Sequence, residues 1–240
     1  DTDIGDDIDD AMTLALALRM PEVELAGITT VFAQTDVRAR LAARMLECVD
    51  VSAPIYAGKS GYYGFRNCGF SQYEPALDAD RYAPRNDAAT DGGEGAVRFI
   101  VECARKYGKD LTIVAIGPLT NIAAAIEADR AAMAGVGKIA LMGGAFYRTV
   151  VEWNILCDAA AARTVFSLGD IVEAYGLDVT ESTRLCGSQF KRMIEYDGDD
   201  RLLTYLNRLT QLWHKYTGCI PCIHDPLTLY NAVRTGLVLL

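Results

Sequence analysis

Six aspartates fall within the first ten residues, with Asp1, Asp3, Asp6, Asp7, Asp9 and Asp10 placed around Gly5. Carboxylates packed that densely repel one another unless water or a cation neutralises them, and hard oxygen donors select calcium or magnesium. The plain alternative is a solvated acidic loop, because acidic runs usually face solvent. An EF-hand loop fits poorly, since Gly5 stands where that motif places an oxygen ligand and no acid closes the loop at its twelfth position. Near the other end of the chain His224 directly precedes Asp225 and Pro226. Histidine titrates near neutral pH, so one beside a carboxylate is a candidate proton donor. His214, inside Leu209 to Tyr216, has no such neighbours and reads as structural or surface. Cys219 and Cys222 form a C-x-x-C, but a structural zinc site needs two more ligands at similar spacing and no second pair exists. The seven cysteines are odd in number and spread out, which does not suggest a disulfide framework; a reducing cytoplasm is the simpler expectation.

These residues need a scaffold to position them. Short β-branched runs alternate with longer stretches of helical period, the signature of a mostly parallel sheet with crossover helices. The pattern predicts a helix over Asp9 to Met20, a strand over Leu25 to Phe32, a helix over 35–49 and a strand near Ile55. A helix over 94–107, a strand over Leu111 to Ile116, a helix from Leu119 and a strand over Lys138 to Met142 follow. A helix over 158–167 and a strand over Ile171 to Val179 come next, and the remainder reads as helical. The expected fold class is therefore α/β, an open, mostly parallel sheet with flanking helices and a helical C-terminal part. The acidic opening then sits between the first strand and the first helix, where open α/β sheets bind ligands. Lys59 to Gly93, rich in Gly, Tyr, Asn and Asp, breaks the rhythm. It reads as a lid or binding loop whose tyrosines and Phe65 stack on a planar ligand, or as an excursion packing its own aromatics.

With 240 residues and 51% hydrophobic content, one domain over 1–240 is expected. The 32 acidic against 23 basic residues leave a net charge of -9, which repels phosphate backbones and anionic lipid. Nucleic acid and membrane are thus not expected partners, and a small neutral or cationic ligand or a metal ion is. No apolar run approaches the ~20 residues of a membrane span.

The segment Asp1 to Ala11 (DTDIGDDIDDA) resembles the opening signature of the nucleoside hydrolase family, D-x-D-x-G-x-D-D-A, with two extra residues between Gly5 and the final Asp-Asp-Ala. Further segments extend the resemblance, in the family's order, over nearly the whole chain. They are Ile116 to Ile122 (IGPLTNI), Met142 to Ala145 (MGGA) followed by Glu152-Trp153-Asn154, and His224-Asp225-Pro226. The resemblance implies a Rossmann-like fold and a calcium-dependent enzyme that cleaves the ribosyl C–N bond of nucleosides, in salvage or catabolism. It implies one calcium held by Asp3, Asp10, Asp225 and the carbonyl of Ile116, with Asp7 in the outer shell. Breaking that bond develops positive charge on the sugar, so the site needs an attacking water, nearby carboxylates and help for the departing base. In the family's pattern Asp3 is the general base, Asp9 and Asn154 hold the ribose hydroxyls, and Glu152 contacts the sugar. His224 protonates the leaving base or, alternatively, only packs against it. Trp153, central in its triplet, is expected in the core. A homodimer or homotetramer is implied as well.

Some features depart from the family's pattern. Gly144 to Glu152 is shorter than the common family loop and lacks the asparagine that many members carry there. Where many members have Gly-Asn, this chain has Ala33-Gln34, and Gln34 is expected to reach the sugar or the metal shell. The chain opens without Met and stops soon after the His-Asp segment, so truncation at both ends is expected. Two rival readings are open to the same residues. A metal-dependent phosphohydrolase of the HD type needs several histidines where this chain has two, and a haloacid-dehalogenase-like one needs a Thr-bearing turn that Asp3-Ile4-Gly5 does not supply. A catalytically inactive nucleoside-binding or sugar-binding homologue finds no support in a chain that retains Asp3, Glu152, Asn154 and His224.

Overall fold

The alternation of apolar runs and amphipathic stretches produces a parallel sheet with crossover helices. In the computed structural model, which describes residues 1–61, 72 and 80–234, the strands are β1 (Ile28–Thr30), β2 (Ile55–Ala57), β3 (Thr112–Ala115), β4 (Lys138–Met142) and β5 (Val172–Tyr175). β1 and β2 pair in parallel, and β4 lies in parallel between β3 and β5. The first residues join the two groups. Thr2 bridges in parallel to Thr30, while on the other side Ile116 N donates to the Asp1 carbonyl at 2.9 Å and the Asp1 amino group donates to Val114 O at 2.8 Å. That is the slanted bonding of a parallel ladder. Across the sheet the order is therefore β2, β1, the N-terminal segment, β3, β4, β5. The two halves wind outward from the centre, which places the topological switch point between the N-terminal segment and β3.

The helices are α1 (Asp9–Ala17), α2 (Thr35–Glu47), α3 (Ala88–Asp91), α4 (Glu94–Tyr107), α5 (Thr120–Ala128), α6 (Arg130–Ala134), α7 (Trp153–Cys157), α8 (Ala159–Phe166), α9 (Leu177–Thr180), α10 (Gly187–Ile194), α11 (Arg201–Thr217) and α12 (His224–Val233). On α2 the buried positions Arg38, Leu41, Ala42, Met45 and Leu46 recur at helical spacing, and this face meets β1 and α1. On α11, capped by Asp200 and closed by Gly218 at φ 70, Tyr205, Leu209 and Trp213 join the same core. A second core forms where α4, α5 and α8 cover β3 and β4, with Ile122, Ile126, Ile139, Leu141 and Val165. Each fully buried aliphatic side chain contributes roughly 1.5–3 kcal/mol. Both layers thus anchor the strand ends at which the candidate site is built.

Three elements differ from the sequence pattern. The strand expected over Leu25 to Phe32 is shortened to β1, because residues 25–27 border a cleft of about 680 Å³ facing Leu111 to Val114 and have no strand neighbour among the described residues. The strand expected over Ile171 to Val179 stops at Tyr175. There Leu177 N bonds Gly144 O at 2.9 Å and Thr180 N bonds Gly176 O at 3.1 Å, turning the chain into α9. α1 ends at Ala17 rather than Met20, before Pro21, which disfavours helical geometry in the residue ahead of it. Of the Lys59 to Gly93 segment, Tyr82 is buried and donates to Glu47 Oε2 at 2.8 Å. Tyr62, Tyr63, Phe65 and Tyr73 lie outside the described residues. Among those residues, no helix is long and apolar enough to cross a membrane.

Candidate active site

At the switch point strand ends meet helix beginnings. Asp3 closes the N-terminal segment and Ile116 follows β3, while Asp9 and Asp10 open α1 and Asp225 lies in the first turn of α12. Helix N-termini favour negative charge, so these positions suit carboxylates. One oxygen from each of Asp9, Asp10 and Asp225 lies within 4.8 Å of the others, and all three residues are buried. Asp225 N donates to Asp9 Oδ2 at 3.4 Å, which ties α12 to α1. Thr2 Oγ1 donates to Asp10 Oδ1. Asp3 is buried and near enough for its charge to act on all three, but it is not among the residues whose oxygens converge within 4.8 Å. Gly117 approaches it so closely that a Cβ there would stand 2.8 Å from Asp3 Oδ1, which only glycine accommodates.

Burial raises the Asp3 carboxyl from 3.8 to about 7, with the Arg38 cation opposing and the charges of Asp6 and Glu152 adding to the rise. Asp9, Asp10 and Asp225 are pushed well above the usual carboxylate range, first by burial and then by one another and Asp3 or Asp7. Buried acids in this state hold protons that a divalent cation can displace. An all-oxygen, mutually repelling donor set within ligand distance fits a hard ion such as calcium. The Ile116 carbonyl accepts one bond, from Asn154 Nδ2 at 3.3 Å, and a carbonyl oxygen has a second lone pair.

Glu152 and Asn154 flank the other side. Glu152 caps α7 by accepting from Asn154 N at 2.8 Å and Ile155 N at 2.9 Å, and it also accepts from Gly144 N at 3.0 Å. Asn154 Nδ2 also donates to Met142 O at 3.1 Å. Trp153, expected in the core, is instead 43% exposed, with its ring edge-on to Phe32 at 6.2 Å. As the first residue of α7 it points away from the buried face that holds its two neighbours. His224 is half-buried and its Nδ1 lies 2.8 Å from Thr180 Oγ1, which leaves Nε2 for a ligand. Burial lowers the His224 pKa, while the charges of Asp7 and Glu181 work in the opposite direction. Asp7 is the exposed acid of the group, and desolvation by its surroundings still raises its pKa against the pull of His224. Gln34 is exposed at the start of α2 and makes no capping bond.

His214 is structural, with Nδ1 2.8 Å from Cys219 O and its ring against Phe190. Cys219 is exposed and Cys222 is buried with Sγ on Thr180 O, and neither belongs to a metal-ligating group among the described residues. Sequence reasoning missed Arg38, Gln72, Asn121 and Thr180. Asn121 bonds Asp1, Thr30 and Lys59 and so stitches three strand ends together. Gln72 donates to Asp7 O at 2.6 Å from within the excursion, and nothing local marks it. Arg38 did carry a signal, being a charged residue on the apolar face of α2.

The family model for inosine-uridine preferring nucleoside hydrolase matches residues 1–239. A relative named probable uridine nucleosidase 2 from Arabidopsis thaliana is 30% identical over 99% of this chain and 77% of its own length. Pyrimidine-specific ribonucleoside hydrolase RihB from Shigella flexneri serotype 5b is 30% identical over 79% of this chain and 63% of its own. Among solved structures, the purine-preferring ribonucleoside hydrolase from Gardnerella vaginalis superposes with a TM-score of 0.78 at 29% identity, covering 98% of this chain and 80% of that one. Buried aspartates at the switch point, a Glu-x-Asn turn across from them and a His-Asp helix start are thus carried by a chain that belongs to the inosine-uridine preferring nucleoside hydrolase family, and it is an N-glycosyl hydrolase of ribonucleosides.

Proposed function

We propose that this chain hydrolyses the N-glycosidic bond of ribonucleosides to ribose and free base with calcium held by Asp3, Asp10, Asp225 and the Ile116 carbonyl. The observation that carries this reading is the convergence of buried Asp9, Asp10 and Asp225 oxygens within 4.8 Å at the switch point. What a bound calcium would supply is acidification of water. Asp3 takes the proton from the attacking water as general base. Asp9 and Asn154 orient the ribose through its hydroxyls, Glu152 faces the developing positive charge on the sugar, and Gln34 closes over the ribose from the start of α2. His224 delivers a proton from Nε2 to the leaving base while Thr180 holds Nδ1, and Asp7 keeps the approach to His224 negative. The whole of 1–240 acts as one catalytic domain. Assembly into a homodimer or homotetramer belongs to the same reading and is supported by the exposed Tyr147 and Val151, at 90% and 73%. A cytoplasmic setting belongs to the same reading and is supported by Cys48, Cys103, Cys186, Cys219 and Cys222, which form no disulfide.

The relatives' names divide between uridine, pyrimidine and purine substrates, so the assay must span bases. Ribose release from inosine, uridine, cytidine and nicotinamide riboside should be abolished by chelation and restored by calcium. Full turnover in metal-stripped protein would sink the mechanism.

A further inference from the structure

Among the described residues Arg38 is the largest fully buried side chain, and it carries a charge, at 1% exposure. A guanidinium is withdrawn from water only where its donors are satisfied, and here they are divided between the loop that carries the acids and the chain leaving β1. Nη1 donates to the backbone carbonyls of Asp3 and Ile4, the latter at 3.0 Å. Nη2 donates to Asp6 Oδ2 at 2.7 Å. Nε donates to Phe32 O at 2.7 Å. Phe32 and Ala33 leave β1 with φ of 72 and 53, a left-handed conformation that residues bearing a Cβ seldom adopt without support from their surroundings. One planar fork therefore joins the ends of the two strands on one side of the switch point. It does so beside a loop that carries two residues more than the family's signature between Gly5 and Asp9. A longer loop has more ways to misplace Asp3 relative to Asp10, and a rigid multidentate clamp removes them.

We propose that Arg38 is the positioning residue of the cation site, holding the Asp3 to Asp6 turn in the geometry that brings Asp3 to the Asp9, Asp10 and Asp225 cluster. This rests on the calcium reading above. Charge and position predict opposite signs, which makes the idea testable. If Arg38 served only to offset the acids, removing its charge would tighten cation binding. If it positions the loop, removing it loosens the site despite the gain in negative charge.

The experiment is a calcium titration of the full chain by calorimetry, repeated with terbium luminescence, on wild type, Arg38→Lys and Arg38→Met, with circular dichroism to verify folding. Arg38→Lys keeps the charge and loses the fork. Both variants should bind about 10–100-fold more weakly, the usual cost of losing a partner that orients a ligand. Wild-type affinity in Arg38→Lys, or tighter binding in Arg38→Met, would overturn the proposal and leave the calcium reading standing. No binding by wild type would overturn both. Should the Arg38 variants not fold, Asp6→Glu keeps the charge at a half-buried position and displaces one arm of the clamp. A several-fold loss of affinity is expected from it, and unchanged affinity would overturn the proposal.

Discussion

Glu152 and the trio of Asp9, Asp10 and Asp225 are all buried carboxylates in one site, yet their surroundings are opposite. Glu152 accepts three backbone N–H bonds between 2.8 and 3.0 Å, and its conformation is set by the start of α7. In the trio, Asp9 receives one amide at 3.4 Å and Asp10 one hydroxyl, while each acid faces the others' charge. A carboxylate saturated with donors is content without a ligand. Crowded acids short of donors must hold protons or a cation. The first kind of site belongs to the fold and the second belongs to the ligand, and substitutions should divide the same way.

The strongest test of that division is in turnover. Asp3→Ala should lower kcat by about 10²–10⁴-fold on inosine and on p-nitrophenyl riboside alike, since both substrates need an activated water. His224→Ala should cost a similar factor on inosine but little on the nitrophenyl riboside, whose leaving group departs unprotonated. Equal losses on both substrates would mean that His224 positions the sugar or Asp225, and its role as acid would be withdrawn.

The next effect is on stability. The Asp3 carboxyl titrates at about 7 in the fold against 3.8 when exposed, so its protonated form stabilises the metal-free protein fully below about 3.8. That contribution is lost as the pH rises through about 7. Asp9, Asp10 and Asp225 act in the same direction. Calcium needs these groups ionised, so the gap in Tm between calcium-loaded and metal-free protein should widen as pH rises over that window. At calcium about 100-fold above Kd the gap should reach about 5–10 °C near neutral pH. A gap that stays flat with pH would show that the acids need not shed protons and would erase the contrast with Glu152.

The smallest effect on stability is at Glu152. Glu152→Ala removes the cap of α7 at a cost of about 1 kcal/mol, lowering Tm by about 2–4 °C, with calcium affinity unchanged. Calorimetry on the same variant sharpens the comparison, because a fall in calcium affinity would merge the two regions into one coupled site.

How much of this was legible beforehand follows from how local each signal is. The strand and helix order, the acidic opening at a strand-to-helix junction and the His-Asp start of α12 are properties of neighbouring residues, so periodicity and motif spacing exposed them. Trp153 was misplaced because a triplet's pattern does not say which member its helix turns outward. Strand lengths at Leu25 and Val179 were overestimated because a strand ends where its partner does, and the partner is distant in sequence. Thr180 was invisible as a site residue for the same reason, and Arg38, though a charge on the apolar face of α2 marked it, had no partner that local spacing could reveal. The side chains of Arg38 and His224 find their partners 35 and 44 residues away, at Asp3 and Thr180. By itself the sequence determined which chemical groups are available and on which elements they sit, since those depend on residue type and short-range spacing. Only the tertiary structure decided which carboxylates are buried together, which is capped and which cation clamps the loop, because burial and long-range hydrogen bonding exist only once the two halves of the sheet have closed around the N-terminal segment.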